Sequence, residues 1–260
     1  MSLAGPFDGF RLEIDADRNR ADIILDRPPL NVVSMAGRDQ LAAVFAELDR
    51  LDAVRAVVVR SAGPHFCSGG NIAGFMEQTP EHVSQLAHNI AAPERLRKPV
   101  IAAIRGYCFG VGFELALACD FRIVSETALL SLPEQRIGMI PGSGGSIRLL
   151  HSIGLARTKD VVMRSRRITG QEARDWGIAV DVVADGELDA ATDALAADLV
   201  TISPLAQRTA KALLNTAQDA PVHVGIELEG QAYGRLRSSD DFREGVDAFT
   251  TKRKPNFTGR

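Results

Sequence analysis

The 260-residue chain has few cysteines, few aromatic residues and almost no net charge, and each of these scarcities excludes a class of protein. Its three cysteines, Cys67, Cys108 and Cys119, form no CxxC pair, so we expect free, buried thiols rather than a disulfide framework. Aromatic residues make up 5% of the chain, too few for base-stacking platforms. The net charge of −3 argues against nucleic acid or an anionic membrane as the main partner.

Long apolar runs are also missing. No continuous apolar stretch reaches the length of about 18 residues that a membrane-spanning helix requires, so we expect no membrane segment. Residues 1–8 lack the basic and apolar regions of a secretory signal, and a cytoplasmic location is therefore predicted. The five histidines have no metal-ligand spacing with one another or with the cysteines, so no metal site is expected. The remaining composition, 45% hydrophobic and 24% charged, is that of a globular protein with a sizeable core.

Strand-like and helix-like segments alternate through the first part of the chain, which is typical of an α/β crossover core. Within it, residues 81–96 have helical periodicity, and residues 106–112 read as a glycine-rich turn. From about residue 142 onward the chain reads as mostly helical, with candidate helices at residues 154–163, 169–176, 188–200, 204–217 and 240–249. We predict a core over residues 1–195 and a helical C-terminal region over residues 196–260.

Two glycine-rich segments each follow a buried strand and open a helix: FCSGGNI at residues 66–72 and GYCFGVGFE at residues 106–114. Glycines let the backbone approach a ligand closely, and free N–H groups at a helix start favour negative charge. The second segment is not a dinucleotide fingerprint, because Leu115 stands where the third glycine belongs, and it is not a P-loop. Taken alone, each segment is also compatible with a plain turn.

Glu114 and Glu134 are the candidate acid–base residues. Glu114 begins an otherwise apolar helix, where it is either a partner of the helix dipole or a working acid or base. Glu134 follows a short apolar strand 20 residues later, a spacing that permits both carboxylates in one pocket, although a solvated loop glutamate is the alternative. The run PGSGGS at residues 141–146 lacks a phosphate-loop lysine, and we expect it to enter a helix by close packing.

These segments, in this order, resemble the crotonase superfamily, also called the enoyl-CoA hydratase/isomerase family. The matching text is FCSGGNI, KPVIAAIRGYCFGVGFELALACDFRI, LPEQRIGMIPGSGGSIRL, ITGQEARDWGI and DFREGVDAFTTKRKPNF, and the likeness covers nearly the whole chain. It implies an α/β fold, a crotonase-like spiral of repeated ββα units followed by a C-terminal helical trimerisation region. It also implies a homotrimer or a hexamer built as a dimer of trimers.

The resemblance assigns a role to each candidate residue. The family uses two backbone N–H groups as an oxyanion hole for a thioester carbonyl, and these would belong to Gly70 and Val111. Glu114 and Glu134 match the glutamate pair of the family's hydratases. The likeness further implies that the substrate and its CoA moiety bind at Ser68, Gly70, Asn71, Ile72 and Ala73.

Several positions depart from the family pattern. Val111 stands where glycine is common and could narrow the pocket, and Asn71 stands where relatives often have aspartate. A Cβ at Gly70 should crowd the substrate only modestly, because many relatives carry alanine there. The segment at residues 27–31 lacks a lysine for the CoA phosphates, so Arg27 or a neighbouring subunit's basic tail at residues 252–254 is expected to replace it.

The implied reaction is syn addition of water to a 2-enoyl-CoA, giving a 3-hydroxyacyl-CoA. Glu114 would activate the water and Glu134 would exchange the proton at C2, with no cofactor, since coenzyme A enters as part of the substrate. Other crotonase-fold reactions on an acyl-CoA thioester stay open: isomerisation, hydration of a cyclic dienoyl-CoA and C–C hydrolysis. A non-catalytic acyl-CoA-binding protein is the alternative from a different class.

Overall fold

The computed structural model describes residue 3 and residues 5–260, and its largest layer is a six-stranded sheet. The described residues form nine strands: β1 (Phe10–Asp15), β2 (Arg20–Leu25), β3 (Ala56–Ser61), β4 (Val100–Ile104), β5 (Tyr107–Phe109), β6 (Phe121–Ser125), β7 (Leu129–Ser131), β8 (Ile168–Thr169) and β9 (Asp181–Val183). The strand order in the large sheet is β1-β2-β3-β4-β6-β9. The pair β1 and β2 is antiparallel, and all other neighbouring strands of this sheet are parallel.

A second, smaller sheet contains β5, β7 and β8 in that order. β5 and β7 run parallel, and β8 pairs antiparallel with β7. Two isolated parallel bridges extend this sheet, one between Cys67 and Cys108 and one between Val33 and Gly70. The first glycine-rich segment therefore lies in register beside the second, which brings the two sequence motifs together.

The described part of the chain also forms twelve helices. The long helix α1 is capped by Ser34, whose side chain accepts a hydrogen bond from the Gly37 N–H. The helices are α1 (Met35–Arg50), α2 (Ile72–Phe75), α3 (Pro80–Ser84), α4 (Leu86–Ile90), α5 (Ala92–Arg95), α6 (Val111–Ala118), α7 (Gly145–Met163), α8 (Gly170–Asp175), α9 (Leu188–Val200), α10 (Pro204–Ala217), α11 (Val222–Leu236) and α12 (Asp240–Thr251).

Two sequence expectations about helices and turns are corrected, and a third is confirmed. The single helix expected at residues 81–96 is three short helices, α3 to α5, and α5 starts anew around Pro93, which has no N–H to continue a helical ladder. The turn expected at residues 106–112 contains β5. The helix expected at residues 154–163 is confirmed as the second part of α7, because the non-helical geometry of Gly154 divides α7 there, and a first part from Gly145 precedes it.

The predicted division at residue 195 stays a prediction, and that boundary falls inside α9. Helix α9 packs against β3, β4 and β6 and so covers the large sheet. None of the helices in the described ranges is long and apolar enough to cross a membrane.

Candidate active site

The first glycine-rich segment, β5 and β7 run parallel in the small sheet and end at one edge. The Phe109 N–H donates to the Cys67 carbonyl at 2.8 Å, and the Gly110 N–H donates to the Ser131 carbonyl at 3.0 Å. Because the carboxyl ends of parallel strands meet at the same edge, the residues that follow these segments are brought together. These residues are Gly70, Val111 and Glu134.

Two backbone N–H groups at this edge are free. Among the described residues, neither the Gly70 N–H nor the Val111 N–H donates to a partner. The turns that carry them touch, since a Cβ added to Gly110 would lie 3.5 Å from the Gly69 α-carbon. The Val111 side chain is part of the main hydrophobic core, and the expected narrowing of the pocket by valine stays a prediction. A pair of unpartnered donors at a helix start suits an anionic oxygen.

Glu114 lies in the first turn of α6 and is 3% exposed. Its Oε1 accepts hydrogen bonds from the Ser143 N–H at 2.7 Å and the Gly145 N–H at 3.2 Å. The hydrogen bond from the Gly145 N–H depends on close packing, because a Cβ on Gly145 would lie 2.7 Å from Glu114 Cγ. The expectation that residues 141–146 enter a helix by close packing is confirmed. Sequence reasoning missed that this run supplies the donors that hold Glu114.

Glu134 begins a 3₁₀ turn directly after Pro133 and is half-buried rather than solvated. Its Oε2 is buried without a hydrogen-bond partner in the described structure. Burial raises the pKa of Glu134 to about 7; its own backbone N–H opposes the rise, the nearby Glu114 charge adds to it, and Arg38 opposes it. The structure thus brings the two glutamates within electrostatic reach, and a carboxyl group of this pKa can exchange protons near neutral pH.

Arg38 is the residue that sequence reasoning missed. It lies on α1, is 2% exposed, and its guanidinium carbon lies over the Phe75 ring, 5.0 Å from the ring centre. Burial lowers the pKa of Arg38, and the charges of Glu114, Cys67 and Glu134 oppose that shift. A signal was present in the sequence: Arg38 precedes Leu41 by three positions and Phe45 by seven, so it places a charge on the core face of α1.

The residues expected to bind substrate and CoA form the rim of this edge. Asn71 caps α2 by accepting a hydrogen bond from the Gly74 N–H, Ile72 is 54% exposed, and Ala73 is also exposed. Ser68 is half-buried. Their binding roles stay predictions, because the structure shows their placement and not a ligand.

The basic residues expected near the CoA phosphates are partly engaged elsewhere. Arg27 pairs with Asp8. Arg253 pairs with Glu244 at 2.6 Å and with Asp247 at 2.5 Å. Lys252 and Lys254 are exposed and form no ion pair with the described residues. The two lysines of the tail are therefore better candidates for a phosphate contact than either arginine.

Comparison with known proteins identifies the chain's class. A model of the enoyl-CoA hydratase/isomerase family matches residues 16–260. A crystal structure of an enoyl-CoA hydratase from Bacillus anthracis superimposes with a TM-score of 0.91 at 33% identity, covering 97% of this chain and 100% of that one. The fold is that of the crotonase superfamily, and the chain is an enzyme of this class. It belongs to the enoyl-CoA hydratase/isomerase family.

The names of relatives with similar sequences refer to different reactions. A carnitinyl-CoA dehydratase of Proteus mirabilis is 35% identical over 92% of this chain and 95% of its own length. An enoyl-CoA isomerase/hydratase of Mycosarcoma maydis is 37% identical over 79% of this chain and 77% of its own length. Family membership therefore leaves the exact reaction to be argued from the site.

Proposed function

We propose that the protein hydrates 2-enoyl-CoA thioesters to 3-hydroxyacyl-CoA. The observation that carries this proposal is the placement of two carboxyl groups, Glu114 and Glu134, at the edge where the Gly70 and Val111 N–H groups are free. Hydration needs one group to activate water and another to protonate carbon, and this site holds one candidate for each task.

The thioester carbonyl oxygen would accept hydrogen bonds from the Gly70 and Val111 N–H groups. Addition of water at C3 pushes charge onto that oxygen as an enolate, and fixed donors stabilise the charge as it develops. Such a donor is typically worth about 3 to 4 kcal/mol in rate. The free state of both N–H groups supports this role, because a donor already bonded within the protein could not serve.

The two glutamates would divide the proton transfers. The water oxygen bonds to C3 while one water proton passes to the Glu114 carboxylate, which Ser143 and Gly145 hold in place through their N–H groups. Glu134 delivers a proton to C2 as the enolate collapses, and its pKa of about 7 keeps the protonated form available near neutral pH. Exchange of protons between the pair and solvent restores the starting state.

A direct assay tests the reaction. Purified protein is incubated with crotonyl-CoA, and loss of the enoyl-thioester absorbance is followed together with a product heavier by the mass of one water. Glu229→Gln, at an exposed glutamate of α11, is the matched control for the glutamate variants. Conversion of crotonyl-CoA to an isomer of unchanged mass, without hydration, would replace the proposal with isomerisation.

We also propose that the protein assembles as a homotrimer, alone or paired into a hexamer. Helix α12 carries an apolar stripe whose members Phe242, Val246 and Phe249 are 37%, 50% and 88% exposed. Tyr233 of α11 lines the same apolar surface and is 72% exposed. Surfaces of this kind are usually covered by another chain. Light scattering at micromolar concentration should give a trimer or hexamer mass, and a monomer mass would contradict the proposal.

A further inference from the structure

Arg38 carries a buried positive charge that the chain leaves without a counterion. Within residue 3 and residues 5–260, no carboxylate oxygen lies within 4.0 Å of its guanidinium. One hydrogen bond is formed in this part of the chain, from Nη1 to Ser143 Oγ at 3.3 Å, and the buried Nε has no partner. A buried charge of this kind is costly unless it is paired when the protein works.

Arg20 shows what a structural arginine looks like in the same protein. It is 5% exposed, and its guanidinium donates to Asp22 at 2.6 and 2.8 Å and to Asp193 at 2.5 Å. All three of its nitrogens are therefore used by carboxylates. Arg38 is buried at least as deeply but uses a single nitrogen, so packing of the fold does not account for its charge.

The guanidinium of Arg38 lies beside the candidate oxyanion hole. A Cβ added to Gly70 would lie 2.7 Å from Arg38 Nη2 and 2.8 Å from Phe75 Cζ. Because a carbon–carbon bond is about 1.5 Å long, Nη2 is within roughly 4 Å of the Gly70 α-carbon. An added Cβ would therefore press on the ends of the Arg38 and Phe75 side chains, whereas the expectation that it crowds the substrate only modestly stays a prediction.

We propose that Arg38 is a catalytic residue that donates a hydrogen bond from its guanidinium to a negatively charged oxygen of the bound acyl group. This proposal rests on the proposed hydratase function. The oxygen has two sources with the same chemistry: the enolate oxygen that forms beside Gly70 during the reaction, or a carboxylate substituent on the acyl group itself.

The charges at the site favour an anionic partner over a neutral one. A guanidinium is a cation with hydrogen-bond donors and no acceptor. The guanidinium carbon lies 5.0 Å over the Phe75 ring, and this cation–π contact helps to hold the group in place before the substrate arrives. Glu114 and Glu134 interact with this charge but lie beyond ion-pair distance, which leaves the free nitrogens available to a ligand.

The first arm of the test probes the enolate oxygen. Acetoacetyl-CoA ionises to an enolate that absorbs in the near ultraviolet, so the titration of the bound ligand can be followed by absorbance. In Arg38→Met, we expect the bound enolate to form at a pH at least about 1 unit higher than in the wild type, since an adjacent cation shifts an ionisation by about 1 to 3 units. Arg50→Met, at an exposed arginine of the same helix, should titrate like the wild type.

The second arm probes a carboxylate substituent. Succinyl-CoA and butyryl-CoA carry short saturated acyl groups that differ in a terminal carboxylate, and neither has a C2–C3 double bond to hydrate, so the affinities of freshly prepared samples can be measured by calorimetry. If Arg38 binds a carboxylate, Arg38→Met weakens succinyl-CoA binding by about 10- to 100-fold and leaves butyryl-CoA binding unchanged. Arg50→Met again serves as the control.

A shift in either arm supports the proposal and identifies the oxygen, whereas no shift in both arms overturns it. Circular dichroism and oligomer mass verify that Arg38→Met is folded, and Arg38→Gln replaces it if methionine disturbs α1. Neither arm requires turnover, so a wild-type protein that fails to hydrate crotonyl-CoA would refute the proposed function while leaving Arg38 to be judged by binding alone.

Discussion

The two glutamates of the site lie in opposite kinds of surroundings. Glu114 is locked in the first turn of α6, and two backbone N–H groups hold one of its oxygens. Glu134 opens a 3₁₀ turn, and one of its oxygens is buried with no partner among the described residues. Two carboxyl groups in unlike environments can take unlike roles, one as a fixed acceptor and the other as a proton exchanger.

The contrast arises from the residues that surround each carboxyl group. On the Glu114 side, Gly145 has no side chain, so the start of α7 approaches close enough to donate. On the Glu134 side, burial removes water without supplying a donor to Oε2. Burial without hydrogen bonding disfavours the charged form of a carboxyl group, which is why the pKa of Glu134 rises.

Removing either carboxyl group should give the largest effect. We expect Glu114→Gln and Glu134→Gln each to lower kcat for crotonyl-CoA hydration by about 10²- to 10⁴-fold, with KM changed little, because a positioned acid or base typically contributes that much. Steady-state kinetics on both variants and on the Glu229→Gln control test this. Near-wild-type turnover in one variant would remove that glutamate from the mechanism.

A smaller effect should follow from disturbing the support of Glu114 alone. In Gly145→Ala, the new Cβ would meet Glu114 Cγ at 2.7 Å and must displace it from its two donors. We expect a loss in kcat of about 10-fold or more, since small displacements of a catalytic group are costly. Gly142→Ala is the matched control, because nothing lies within 4 Å of a Cβ there. Equal rates in the two variants would show that the close approach of α7 is not needed.

The pH dependence of kcat/KM should report the protonation of Glu134. Hydration requires one proton shared by the glutamate pair, and that proton is lost as the pH rises through the Glu134 pKa of about 7. We therefore expect kcat/KM to fall above about pH 7, in both the hydration and dehydration directions, because the two start from the same number of bound protons. A profile that stays flat to about pH 9 would mean that Glu134 is not the proton donor.

The sequence predicted the α/β class, the strand-to-helix turns and the close packing at residues 141–146, because apolar periodicity and glycine placement act locally, whereas the crotonase-like spiral followed from the family resemblance. It missed β5, since three residues inside a glycine-rich turn form a strand only by pairing with distant β7. It also missed Arg38 and the N–H groups that hold Glu114. Those contacts join residues more than 25 positions apart, and only the folded chain brings them together.

The smallest effect should appear in stability and should separate the two glutamates. The folded-state pKa of Glu134 is raised above its ordinary value of 4.5, so the native state binds a proton that the unfolded state releases. The contribution of Glu134 to the free energy of unfolding of the wild type is fully present below about pH 4.5 and is lost as the pH rises to about 7. Glu134→Gln removes that loss, and we expect it to be more stable than the wild type at pH 8 by on the order of 1 to 3 kcal/mol, with little difference at pH 5.

Glu114→Gln should be destabilised at both pH values, because it disturbs two satisfied hydrogen bonds of a buried group. Urea unfolding at equal protein concentration measures both variants, and a Glu134→Gln protein no more stable than the wild type at pH 8 would show that the buried Oε2 finds a partner in solution.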